Sequence, residues 1–221
     1  MFLCIFIGYF RFMFAIPHVC IASHTLFQII YGQTNCGKTT FMLEVIRRRL
    51  VEPWPKNVYY FYTVEQSFMK TWNEQESMPI TFVKGIDLTK IDTSSPSLAI
   101  FDDLVLSITN DLASLWLMGS HHRKITTFFL TQNLYPKSEA FRNMMHNSHY
   151  YVLFHSLRCF GQVHKLVTTL IHGEPRFRAL NAYKRAGTQE RGVAVFNLHP
   201  ETPPELCFMT DFFHPCPSYF L

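Results

Sequence analysis

The stretch that decides the fold is Thr25-Leu26-Phe27-Gln28-Ile29-Ile30-Tyr31-Gly32-Gln33-Thr34-Asn35-Cys36-Gly37-Lys38-Thr39-Thr40. Its first half is an apolar strand. Its second half satisfies GxxxxGK[ST] over Gly32 to Thr39, and an amphipathic helix is expected over Lys38 to Leu50, with Phe41, Met42, Val45 and Ile46 on one face. Strand, glycine loop and helix in that order form a phosphate cradle. The glycines permit a tight turn of inward-facing amides, and the helix start adds about half a positive charge. Gly32, Gln33, Thr34, Asn35, Cys36, Gly37, Lys38, Thr39 and Thr40 are therefore the candidate nucleotide contacts. Lys38 is expected at the β- and γ-phosphates of ATP and Thr39 at Mg²⁺.

Further along, Ser97-Leu98-Ala99-Ile100-Phe101-Asp102-Asp103 is an apolar strand ending in two carboxylates. Paired with the upstream loop, it reads as a Walker B strand. Asp102 is placed to hold the metal and Asp103 to act as base toward water, with a helix-cap role for Asp103 as the bland alternative. Ile125 to Thr131 is a third strand, ending at Gln132. In a parallel sheet the C-terminal strand ends share one crevice, so Gln132 is expected near Asp102 and the phosphates. A polar strand end with no role is the competing reading.

Short apolar runs at Val58 to Val64 and Tyr150 to Phe154 complete a βαβ rhythm, with helices expected over Asp111 to Met118, stopping at Gly119, and Gln162 to Ile171. Gly192 to Asn197 and Leu206 to Phe213 are expected to close one edge of the sheet. The fold class is α/β, a mostly parallel central sheet flanked by helices. One ATPase domain over 24–215 accounts for the pattern, with a six-residue tail after it.

The chain has 221 residues, 48% apolar and 16% charged, against about 25% charged in an ordinary domain, which excludes disorder and coiled coil. A net charge of +4 tolerates a polyanionic partner without identifying one. Cysteines at 4, 20, 36, 159, 207 and 216 show neither CxxC pairs nor zinc spacing, which points to a reduced, intracellular protein, nuclear or cytoplasmic. His121-His122 and Cys207, His214 and Cys216 fit no standard ligand pattern. Met1 to Ala22 is a largely apolar stretch with Arg11 its only formally charged side chain. A signal peptide would want its positive charge ahead of the apolar run, and a membrane anchor would place that Arg mid-bilayer. An apolar leader packed on the domain, or translated sequence outside the working protein, is therefore preferred for 1–23, with anchoring the minor alternative.

Taken together, the runs YGQTNCGKTTF, LAIFDDL and GSHHRKITTFFLTQNLYPK resemble the FtsK–HerA group of P-loop ATPases, most of all the DNA-packaging ATPases of Maverick/Polinton elements and related large DNA viruses. The resemblance spans Leu26 to His214, and Ala179 to Tyr183 with Pro200 to Pro203 look like the family's closing strands. It implies a RecA-like core, a homo-oligomeric ring, and ATP-driven movement of double-stranded DNA without sequence preference, with capsid proteins as further partners. On that analogy Asp103 is the base, Gln132 the sensor, and Arg123 the arginine finger acting across a subunit interface; Arg142 and Arg158 are weaker finger candidates. Where relatives tend to read KNPRD, this chain has His155-Ser156-Leu157-Arg158-Cys159. A degenerate domesticated copy that binds ATP without driving DNA movement, and a helicase-like pump, are the alternative functions. Arg47, Arg48, Arg49 and Lys56, or Arg176, Arg178, Lys184 and Arg185, are the candidate DNA contacts.

Overall fold

Among the described residues nine strands form one sheet, its central strands built from runs apolar enough to be buried on both faces. The computed structural model describes residues 27–122, 125–190 and 192–220, and the side chains of all but 117–122 among them. The leader 1–23 and Arg123 lie outside the described residues. In chain order the elements are β1 (Phe27–Tyr31), α1 (Lys38–Arg47), β2 (Asn57–Tyr62), α2 (Trp72–Gln75), β3 (Ile80–Lys84), β4 (Ser97–Asp102), α3 (Asn110–His122), β5 (Ile125–Thr131), α4 (Glu139–His146), β6 (Tyr150–Phe154), α5 (Phe160–Leu170), α6 (Pro175–Ala186), β7 (Val193–Asn197), β8 (Phe208–Thr210) and β9 (Ser218–Tyr219), with short 3₁₀ turns between some of them.

The sheet order is β3-β2-β4-β5-β1-β6-β7-β8-β9. Six strands from β3 to β6 run parallel, and β7 to β9 extend the β6 edge in antiparallel fashion. In β1, β4, β5 and β6 every residue is buried, as parallel strands covered on both faces must be. On one face the period-two alternation aligns Phe61, Phe101 and Phe129 across β2, β4 and β5, with ring centroids 4.8 and 6.2 Å apart and nearly parallel planes. Helices α3 to α6 cover this face. On the other, Ile100, Phe128 and Leu130 pack beneath Phe41, Met42, Val45 and Ile46 of α1. Many of the chain's phenylalanines are absorbed in these two layers.

Several boundaries differ from the sequence expectation. Helix α1 stops at Arg47, three residues early, in a two-bond C-terminal closure. Arg49 adopts φ 55°, its amide donates to Ile46 O at 3.1 Å, and the Leu50 amide donates to Val45 O at 3.0 Å. Helix α3 passes through Gly119 to His122, because an interior glycine costs only about 1 kcal/mol and does not itself end a helix. Ala179 to Tyr183, expected as a closing strand, lies within α6, where Ala179, Ala182 and Tyr183 are buried at helical spacing. Pro200 to Pro203 form a turn, since proline cannot donate to a ladder. Of Leu206 to Phe213 only Phe208 to Thr210 pair as strand, and Ser218–Tyr219, read as tail, pair with them. Among the described residues no helix is long and apolar enough to cross a membrane.

Candidate nucleotide site

Strand β5 lies between β1 and β4, and this order builds the site. The ladder continues past the strand ends on both sides: the Gly32 amide donates to Thr131 O at 3.2 Å, and the Asp103 amide to Leu130 O at 3.1 Å. The glycine loop, the acidic pair and Gln132 are thereby held at one edge.

The loop conformation follows from its residues. Gly37 sits at φ 108°, which a side chain rarely adopts, and Asn35 at φ 61°, which Asn tolerates better than most residues. Gly32 meets a different constraint: a Cβ there would fall 2.5 Å from Cys36 Sγ and 2.7 Å from Phe154 Cβ. The amides of Thr34, Asn35, Gly37 and Thr39 find no acceptor among the described residues, and a buried Lys38 reaches back over the loop to donate to Gly32 O at 2.8 Å and Gln33 O at 2.9 Å. Free amides around a buried ammonium form an anion cradle. The phosphates of ATP fit it through backbone donors and charge. Burial pushes the Cys36 thiol up, against the pull of Lys38.

Asp102 ends β4 almost fully buried. Tyr60 Oη and Gln66 Nε2 both donate to its Oδ2, each at 2.7 Å, and no described donor bonds its Oδ1. Burial raises the Asp102 carboxyl above its ordinary value and outweighs the two hydrogen bonds and Lys38, which act in the other direction. Tyr60 also interacts with the Thr39 hydroxyl, and burial together with Asp102 pushes its phenol up. Thr39 thus lies near the hydrogen-bonded Tyr60–Asp102 pair. A hydroxyl and a carboxylate with a free oxygen suit Mg²⁺, a hard cation that prefers oxygen ligands.

Asp103 is exposed at φ 55°, a strained position of the kind found at functional turns. Gln132 spans the crevice: its Nε2 donates to Asp103 Oδ2 at 2.9 Å, and its Oε1 accepts from Thr34 Oγ1 at 2.6 Å. One amide therefore joins the glycine loop to the second acidic residue. Thr40 is exposed on the first turn of α1 and takes no part in this network. Arg142 is exposed on α4 and Arg158 is exposed just beyond β6, neither bonded to these residues.

Tyr60 and Gln66 were not legible as site residues. Tyr60 lies in a run that reads as core, and its pairing with Asp102 exists only across the β2–β4 ladder. Gln66 carries no local signal.

No protein-family model and no curated protein matches the chain. Solved structures do. The DNA-packaging ATPase B204 from Sulfolobus turreted icosahedral virus superposes with a TM-score of 0.53 at 12% identity, over 81% of this chain and 96% of that one. The genome packaging NTPase B204 from Sulfolobus turreted icosahedral virus 2, in complex with ATP-gammaS, gives 0.51 at 11%, over 80% and 95%. The fold is that of a RecA-like P-loop ATPase. The flagellar accessory protein FlaH from Methanocaldococcus jannaschii gives a TM-score of 0.46 at 14% identity, over 61% of this chain and 73% of that one.

Proposed function

We propose that the protein hydrolyses ATP and uses the energy to translocate or package double-stranded DNA, without sequence preference, as a homo-oligomeric ring that works with capsid proteins. The observation that carries the hydrolytic part is the Thr34–Gln132–Asp103 bridge, because it gives the loop that grips phosphate a direct connection to a carboxylate at the same edge. Lys38 and the loop amides from Gly32 to Thr40 hold the phosphates. Thr39 and Asp102 are the residues that would hold Mg²⁺, which when bound would supply positive charge to offset that of the phosphates. Asp103 accepts a proton from the attacking water, and Gln132 orients that water against the loop. Arg123 from a neighbouring subunit offsets charge at the γ-phosphate.

Support for the motor reading comes from the run GSHHRKITTFFLTQNLYPK and from a fold shared over nearly the whole length of B204, a DNA-packaging ATPase. The test is steady-state ATP hydrolysis with and without double-stranded DNA, beside Lys38→Ala and Asp103→Asn. DNA-stimulated turnover that disappears in both variants is the expected result. Lys38-dependent ATP binding with no turnover would replace the motor by a nucleotide-binding protein. Mixing Arg123→Ala with wild type is expected to lower turnover more than dilution does, since a finger acting in trans disables its neighbour.

A further inference from the structure

The basic runs that suggested DNA contacts are largely committed elsewhere. Arg47 pairs with Glu76 at 2.7 Å and lies over the Trp72 ring; Arg48 pairs with Glu44 at 2.6 Å and donates to Phe213 O; Arg49 lies over Trp54. Arg176 donates to Ile171 O and Arg178 to Pro204 O. These guanidinium groups already have partners within the fold.

A different set of cations converges on a cavity. The segment after Gln132, helix α4 and helix α5 line a half-open cavity of about 300 Å³. Lys137 comes from the segment, Arg142 from α4 and Lys165 from α5, and no acidic side chain lines the space. The Lys165 ammonium stands 4.2 Å over the Tyr135 ring, which fixes its position. None of the three takes part in an ion pair found among the described residues. All three are solvent-exposed and of one sign, so together they give the cavity mouth a positive potential that attracts an anion.

The wall of this cavity is continuous with the nucleotide site. Asn133 N donates to Thr131 Oγ1 at 3.1 Å, Leu134 N to Gln162 Oε1 of α5 at 2.9 Å, and Tyr135 N to Asn133 Oδ1 at 2.9 Å. The chain from Gln132 to the cavity is therefore braced at each step. We propose that the cavity is a DNA-phosphate site, and that its occupancy is passed through residues 132–137 to Gln132, so that DNA binding at Lys137, Arg142 and Lys165 sets the rate of ATP turnover. This rests on the DNA-motor reading above for the identity of the anion, while the cavity and its charges do not depend on it.

The test measures binding of a fluorescently labelled DNA duplex to the full chain by anisotropy from 50 to 200 mM salt, for wild type, Lys137→Ala, Lys165→Ala, the double variant and the charge-conserving Lys165→Arg. Removing one phosphate-neutralising cation lowers the log–log salt slope by roughly 0.9, so each alanine variant sheds about 3.5-fold of the affinity change across that fourfold range. Lys165→Arg is expected to keep the wild-type slope. MgATP affinity and the circular dichroism spectrum, unchanged in each variant, show that the chain is folded. A double variant with the wild-type slope and affinity overturns the site, as does a wild-type chain that binds inorganic phosphate in the cavity but no duplex. A reduced slope with DNA stimulation of hydrolysis intact overturns the transmission to Gln132. A reduced slope in a protein that never hydrolyses ATP supports the phosphate site and defeats the motor reading instead.

Discussion

Asp102→Asn is expected to make the protein more stable at neutral pH while disabling the proposed metal site. Both hydrogen bonds to this side chain converge on Oδ2, so an Asn carbonyl oxygen at the same point keeps the donors of Tyr60 and Gln66, and its NH₂ occupies the Oδ1 position, where no described donor points. What changes is the charge. Burial raises the folded-state pKa of Asp102, so between the unfolded and folded values the folded protein holds a proton that the unfolded chain has released. Stability in that window falls as pH rises, and above it the cost of the buried carboxylate is fully present. Every unit of displacement is worth about 1.4 kcal/mol. A gain of about 1 kcal/mol is the scale expected when a strained functional group is replaced, and in a chain of this length it lifts Tm by roughly 2–4 °C. Thermal unfolding of wild type and variant at pH 7.5 and below about pH 4, the ordinary carboxylate range, measures it. The two should converge at the acidic end, where both side chains are neutral. A variant less stable at pH 7.5, or a difference that does not shrink in acid, would refute the argument that burial dominates at Asp102.

Other consequences follow from the same geometry. Gly32→Ala places a methyl against Cys36 Sγ and the backbone-anchored Phe154 Cβ, and should cost about 1–3 kcal/mol in chemical denaturation. Tyr60→Phe leaves the Asp102 carboxylate with Gln66 alone, a loss of about 1.5–3 kcal/mol in the same assay at neutral pH. Lys38→Ala removes a buried ammonium from the loop, and calorimetry should show MgATP affinity falling by about 10- to 100-fold, the worth of a charge-assisted hydrogen bond. Gln132→Ala should keep ATP binding and slow single-turnover hydrolysis by about 10²-fold, since it removes a positioned polar group from the edge where the reaction occurs.

What the sequence determined by itself is local. A glycine loop between an apolar strand and an amphipathic helix is contiguous in the chain, so Gly32, Lys38 and Thr39 declare a phosphate cradle wherever they stand. The same holds for the fully apolar run closed by Asp102 and Asp103. That β5 separates β1 from β4 is a matter of strand order, set by how βαβ units wind onto one another, and only the folded sheet puts the Gln132 amide between Thr34 and Asp103. Tyr60 became a partner of Asp102 across the β2–β4 ladder and Gln66 from the loop that follows β2, contacts between residues some forty positions apart that no periodicity records. Edge strands as short as Ser218–Tyr219 and a helix such as α6, whose buried stripe is mostly alanine, carry too little apolar signal to stand out. Charge was the least legible property. The arginine runs drew attention as clusters, yet folding pairs them with Glu44, Glu76 and aromatic rings, while Lys137, Arg142 and Lys165, scattered in the chain, meet at one cavity because helix packing, which joins residues distant in sequence, brings their elements together.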